Sequence, residues 1–121
     1  ERFVAAPDKV GAMLAVPPQS AFHLVDVGDE GAITSVTTLQ EMPVWENGGY
    51  FVLRPAIFDH LPEQSPLVED VFARLAREGR MLAHRHRGFW QPADTVKERT
   101  AMEAAYRSGH RPWMRWEQLP A

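Results

Sequence analysis

Apolar and polar positions alternate with a period of two over much of the first half of the chain. Met13 to Val16 is a short apolar run closed by Pro17 and Pro18, which predicts a strand ended by residues that cannot extend it. Ala21 to Val27 alternates, with Phe22, Leu24 and Asp26 on one face and His23, Val25 and Val27 on the other. Gly28-Asp29-Glu30-Gly31 forms a turn cluster. Ala32 to Leu39 then returns with Ile33, Ser35, Thr37 and Leu39 sharing a face, so the two runs predict a hairpin. Gln40 to Asn47 shows no period and reads as a surface loop. Gly48 to Leu53 is a nearly continuous apolar run of aromatic and β-branched residues, which predicts a strand covered on both faces.

In the second half the period lengthens to that of a helix. From Pro55, Ile57, Phe58 and Leu61 fall at helical spacing. A second helix is predicted with Ser65 as N-cap, Pro66 at the first helical position and Gly79 past the end, burying a stripe of Val68, Val71, Phe72 and Leu75. Arg80 to His86 predicts a further strand, and Gly88-Phe89-Trp90 turns the chain. Asp94 opens the last helix, which runs to Ser108 and stops at Gly109. Residues 1–6 read as the tail of a helix, stopped because the residue before Pro7 disfavours helical backbone. The tail Arg111-Pro-Trp-Met-Arg-Trp alternates large apolar and basic residues and is expected to pack back onto the body. With no repeat and no long linker, residues 1–121 predict a single domain of the α/β class with some antiparallel content.

Composition narrows the partners. A net charge of −3, with the basic residues scattered, argues against a nucleic-acid polymer or an anionic membrane surface. The chain has no cysteine, which excludes disulfides and thiolate metal sites. No apolar run approaches the roughly 20 residues that span a bilayer, and no signal peptide is evident, so a cytoplasmic location is expected. The chain opens at Glu1 without an initiator methionine, directly on a helix tail, which leads us to expect a piece of a longer protein.

From Asn47 onward the residues become specific. The segment ENGGYFVLRPAIFDHL, then LVEDVFARLAREGRMLAHRHRGFWQPADTVKER, and finally SGHRPWMRW follow one another in order and spacing. Together with the upstream LAVPPQSAFHLVDVGDEGAITSV, they resemble the glucose-1-phosphate cytidylyltransferase family over about residues 13–117. The resemblance implies the C-terminal part of a Rossmann-like nucleotide-diphospho-sugar transferase fold, a mixed sheet flanked by helices. It implies a reaction joining a sugar 1-phosphate to a nucleoside triphosphate with release of pyrophosphate. In-line transfer of this kind requires charge on the phosphates to be neutralised by metal and basic groups. The family's glycine-rich nucleotide loop has no counterpart here, since Gly48-Gly49 precedes a strand and opens no helix. The N-terminal nucleotide-binding half is therefore expected to be absent and the chain alone inactive, associating either with that half or with copies of itself.

Five residues carry the candidate site. Asp94 matches the aspartate of the family's F-W-Q-x-x-D-T motif, which resembles a ligand to a Mg2+ ion shared with the missing half; an ordinary helix N-cap is the competing reading. Glu41 matches the glutamate of the family's Glu-Lys-Pro, a sugar-hydroxyl contact, against a solvated loop acid. Asn47 and Gly48 match a sugar-facing Asn-Gly, against a turn chosen for backbone conformation. Trp90 is either a wall of the substrate cleft or a buried aromatic. The chain departs from the family at Met42, where the pattern has a lysine that contacts the sugar phosphate. A thioether cannot replace an ammonium there, so either Arg54, Arg85 or Arg87 compensates, or the sugar phosphate is held differently, or the chemistry is lost. His84 and His86 share a strand face but lack a third metal ligand at useful spacing. No Ser/His/Asp motif is present. A second functional reading follows from Met42: a non-catalytic sugar-phosphate-binding or assembly module derived from the same family.

Overall fold

The computed structural model describes residues 2–20 and 22–117, in two compact units, residues 1–86 and 87–121. The first unit is built on a three-stranded mixed sheet of β1 (Gly11–Val16), β4 (Glu46–Leu53) and β5 (Met81–Arg85) in the order β4-β1-β5. β1 runs antiparallel to β4 and parallel to β5. Between β1 and β4 lies a separate hairpin of β2 (His23–Val27) and β3 (Ile33–Thr38), turned through a short 3-10 segment at Asp29–Gly31. The hairpin follows the sequence pattern, although Ala21 lies outside the described residues. All five residues of β2 are exposed, so it contributes nothing to the buried core.

The core sits on one face of the three-stranded sheet. Val10, Ile57, Val71, Phe72 and Leu75 form a buried cluster, against which Met13, Phe51, Leu53 and Met81 pack from the strands. These strand residues occupy two neighbouring cross-strand rows, Leu53–Gly11–Met81 and Phe51–Met13–Ala83, and residues paired across strands share a face. The Phe72 ring meets Phe51 edge-on, with centroids 4.9 Å apart. Gly11 permits this closeness, because a Cβ there would lie 2.8 Å from the Leu53 side chain. The helical layer is a 3-10 stretch at Pro55–His60, a π-helical stretch at Leu67–Phe72, and α1 (Ala73–Arg77).

Several expectations are corrected here. β4 is not covered on both faces: Tyr50 is 70% and Val52 62% exposed, while Phe51 and Leu53 face the core. β4 also begins two residues earlier than its apolar run, because Glu46 and Asn47 pair with Val16 and Ala15. Ser65 does not cap a helix; Pro66 has extended backbone and the helical chain starts at Leu67 without a side-chain cap. Of the Pro55 stretch, only Ile57 is buried, and Phe58 is 75% exposed. Residues 2–5 form turns in place of a helix tail, with Glu1 outside the described residues. Arg54 takes the carbonyls there, donating from Nε to Lys9 O at 2.9 Å and from Nη2 to Phe3 O at 2.7 Å.

The second unit is organised on α2 (Val96–Arg107). Its C-terminal end closes at Gly109, whose φ of +81° is the left-handed conformation that terminates helices. The tail makes its ring contacts within this unit. Trp113 lies 5.7 Å from Phe89 between ring centroids, and the Arg111 guanidinium sits 4.1 Å over Tyr106. No helix among the described residues is long and apolar enough to cross a membrane.

Candidate functional site

The candidate residues divide between the two units, with Glu41, Asn47 and Gly48 in the first and Trp90 and Asp94 in the second. In the first unit, the end of β4 is shaped by its own side chains. The Asn47 Oδ1 accepts a hydrogen bond from the Gly49 N–H at 2.9 Å, and Gly49 has a φ of +77°. Here the ladder slips: Phe51 pairs with Met13, but the next pair is Asn47 with Ala15. Three residues of β4 thus bulge opposite Leu14, and glycine at 49 provides the left-handed backbone the bulge requires.

The bulge has a consequence for the Asn-Gly pair. A side chain at Gly48 would collide with Leu14 Cδ2 at 2.9 Å and crowd Val16 Cγ1 at 3.2 Å. Gly48 is buried against those two residues, so the missing side chain makes room for β1, and the space does not open toward a ligand. Asn47 belongs to the opposite face. It is exposed, and with Oδ1 committed to Gly49, its two amide hydrogens remain to donate. The cross-strand row continues through Ala15 to Arg85, so Asn47 and Arg85 flank Ala15 on one face. Trp45, two residues before Asn47, is on that face as well, with the Arg85 guanidinium 5.5 Å from its ring centroid. Arg85 terminates β5 beside the end of the parallel strand β1. Carboxyl ends of parallel strands are where open α/β sheets place their ligands.

Glu41 ends a 3-10 turn at Leu39–Glu41 and is exposed. One of its oxygens accepts the Thr38 N–H at 3.3 Å, leaving the other to face solvent. Met42 follows, 38% exposed. Of the three arginines offered as substitutes for the missing lysine, Arg54 is excluded by its bonds to Phe3, Ala6 and Lys9 and by its stacking 4.6 Å over Phe3.

In the second unit the N-cap of α2 is Thr95, which corrects the reading of Asp94 as a cap. The Thr95 Oγ1 accepts the Glu98 N–H at 3.2 Å, and Glu98 reaches back to accept the Thr95 and Asp94 N–H groups at 2.9 and 3.1 Å. This is a capping box. The Asp94 carboxylate takes no part in it; it is exposed and without a hydrogen-bonding partner among the described residues. The Thr95 donors hold the Glu98 carboxyl below its ordinary value of 4.5. Its contribution to the helix start is therefore present above that value and lost as pH falls through the lower, folded value. In an acid titration followed by NMR, the Thr95 amide should become exposed to exchange at a pH below 4.5. Loss of protection already at neutral pH would contradict this. Trp90 is half-buried.

Among the described residues no group of three or more His, Cys, Asp or Glu side chains could hold a metal ion, and His84 and His86 form none. Reading the sequence alone missed Trp45 altogether. Its spacing of two from Asn47 was the available signal, concealed because residues 40–47 read as loop.

No family model matches the chain. The chain is 33% identical over 125 residues to the glucose-1-phosphate cytidylyltransferase of Salmonella typhimurium, covering 95% of this chain and 45% of that protein. The same figures hold for the Salmonella typhi glucose-1-phosphate cytidylyltransferase. The probable glucose-1-phosphate cytidylyltransferase of Bacillus subtilis is 35% identical over 72 residues, 58% of this chain and 28% of that protein. The chain thus spans about half the length of the curated relatives it matches along nearly its whole length.

Proposed function

We propose that this glucose-1-phosphate cytidylyltransferase-like chain is the sugar-facing, C-terminal half of a cytoplasmic sugar-phosphate nucleotidyltransferase. The observation that carries the reading is the match to the Salmonella typhimurium enzyme over 95% of the chain. The proposed reaction is attack of a sugar 1-phosphate oxygen on the α-phosphorus of a nucleoside triphosphate, with pyrophosphate leaving. In it, the Asn47 amide donates to a sugar hydroxyl and the solvent-facing oxygen of Glu41 accepts from another.

Asp94 suits a magnesium ion. A hard cation binds through one or two carboxylates plus phosphate oxygens and water, and this carboxylate is exposed and unused by the helix cap. When bound, such an ion would neutralise charge on the reacting phosphates. A second carboxylate would come from the nucleotide-binding half, which also carries the triphosphate site. The bare apolar residues Tyr50 and Val52 support a covering by that half, or by further copies of the chain.

The test is pyrophosphate release from CTP and glucose 1-phosphate with Mg2+ by the purified 121-residue chain. No release is expected from this chain alone. Turnover would place a triphosphate site within these residues and overturn the division of labour. Met42, standing where the family pattern has a lysine, favours a second reading: a sugar-phosphate-binding or assembly module that has lost the chemistry.

A further inference from the structure

We infer that Arg85, held on the ring of Trp45, supplies the cation that binds the phosphate of a sugar 1-phosphate, in place of the lysine that Met42 has displaced. The inference rests on the proposed sugar-facing role and adds to it the group that receives the ester.

Three arginines could make up the lost charge. Arg54 spends its guanidinium on the carbonyls of Phe3, Ala6 and Lys9. Arg87 lies beyond the end of β5, outside the cross-strand row, and has an interaction of its own. Arg85 is exposed and has no carboxylate partner among the described residues. Its contact with Trp45, at 5.5 Å to the ring centroid, is made over the ring, and a guanidinium carries its N–H donors in its own plane. The contact therefore restrains the group, and a guanidinium with five donors has N–H groups to spare for a tetrahedral anion. A lysine could not be held this way and still present a planar fork.

Position supports the same assignment. Arg85, Ala15 and Asn47 are consecutive members of one cross-strand row. Neighbouring strands lie about 4.8 Å apart, so the Asn47 and Arg85 backbones are separated by roughly 10 Å across the small Ala15. That span suits a hexose 1-phosphate, with hydroxyls at the Asn47 amide and the phosphate at Arg85. The row also lies at the carboxyl-terminal side of β5 and β1, the parallel pair, with Arg85 ending β5 and Ala15 one residue before the end of β1.

The experiment is an NMR titration of the 121-residue chain, following the Arg85 Nε–H, the Trp45 indole N–H and the Asn47 amide, with glucose 1-phosphate, inorganic phosphate and glucose as probes. Glucose 1-phosphate should move all three signals, inorganic phosphate the Arg85 and Trp45 signals, and glucose neither of those two. Arg85→Gln should weaken glucose 1-phosphate binding roughly 10- to 100-fold, as expected for loss of a charged hydrogen-bonding partner, with no change in melting temperature. Arg85→Lys should recover only part of it. If glucose 1-phosphate moves Asn47 but leaves Arg85 and Trp45 unmoved, or if Arg85→Gln binds as well as the parent, the inference is overturned while the sugar-facing role stands. If inorganic phosphate moves Arg85 and Trp45 but glucose 1-phosphate binds no more tightly, the anion site holds and the sugar-facing role fails. If neither anion moves them, the site is wrong.

Discussion

Asp94→Asn, made in the longer enzyme to which this chain is proposed to contribute, should lower turnover by roughly 100-fold or more, since a metal's stabilisation of transition-state charge is worth several kcal/mol. The same change should leave the melting temperature in place. The separation of effects follows from the capping box. Thr95 and Glu98 exchange the hydrogen bonds that start α2, and the Asp94 carboxylate is not among the acceptors. Asparagine keeps the size of the side chain and loses its charge, to which a hard cation is sensitive. Raising the magnesium concentration should recover part of the loss. A variant that turns over normally would remove Asp94 from the chemistry, and one that melts early would return it to the helix. Thr95→Ala is the internal control. It deletes the cap and should cost about 1 kcal/mol of stability without a specific effect on the metal.

Phe72→Ala should be the most damaging single truncation to the fold of the first unit. Phe72 is 2% exposed, lies in the cluster with Val71 and Leu75, and meets the β4 residue Phe51 edge-on from the helical layer. Removing a buried phenyl ring costs about 3–5 kcal/mol through lost transfer energy and the cavity left behind. Domains of this size are stable by only about 5–15 kcal/mol, and this core is small, so much of that margin would go. The check is a urea melt, in which the midpoint should fall steeply. Phe58→Ala, at a residue 75% exposed, should barely move it. Equal midpoints for the two variants would mean that the helical layer does not pack on β4 and β1 as described.

The parts of this molecule that the sequence announced are those governed by local pattern. The hairpin of β2 and β3 follows from two alternating runs around Gly28–Gly31, and the Val71–Phe72–Leu75 stripe from helical spacing. What escaped depends on partners distant in sequence. Glu46 and Asn47 are polar and carry no strand signal of their own; they become strand because Val16 and Ala15 pair with them. Gly48 invited a reading as a ligand approach, and only the place of Leu14 against it reveals a packing role. The one-sided cover of β4 was hidden for a related reason, because Tyr50 and Val52 are as apolar as the core-facing Phe51 and Leu53. At Asp94-Thr95 either residue could cap, and the choice of Thr95 becomes visible in the bond to Glu98. Most of the candidate residues were legible through resemblance. The row that joins Asn47 to Arg85 was legible only once β1 lay between β4 and β5.

The central claim, that this chain holds a sugar 1-phosphate, is tested most directly by calorimetric titration of the 121-residue chain with glucose 1-phosphate, alongside glucose, inorganic phosphate and CTP. The account predicts saturable one-to-one binding of glucose 1-phosphate, tighter than either glucose or inorganic phosphate, and no measurable binding of CTP. Both ends of the ligand are then required, in accord with an amide at Asn47 and a cation at Arg85 on one face of the sheet. Binding of CTP with indifference to glucose 1-phosphate would contradict the account.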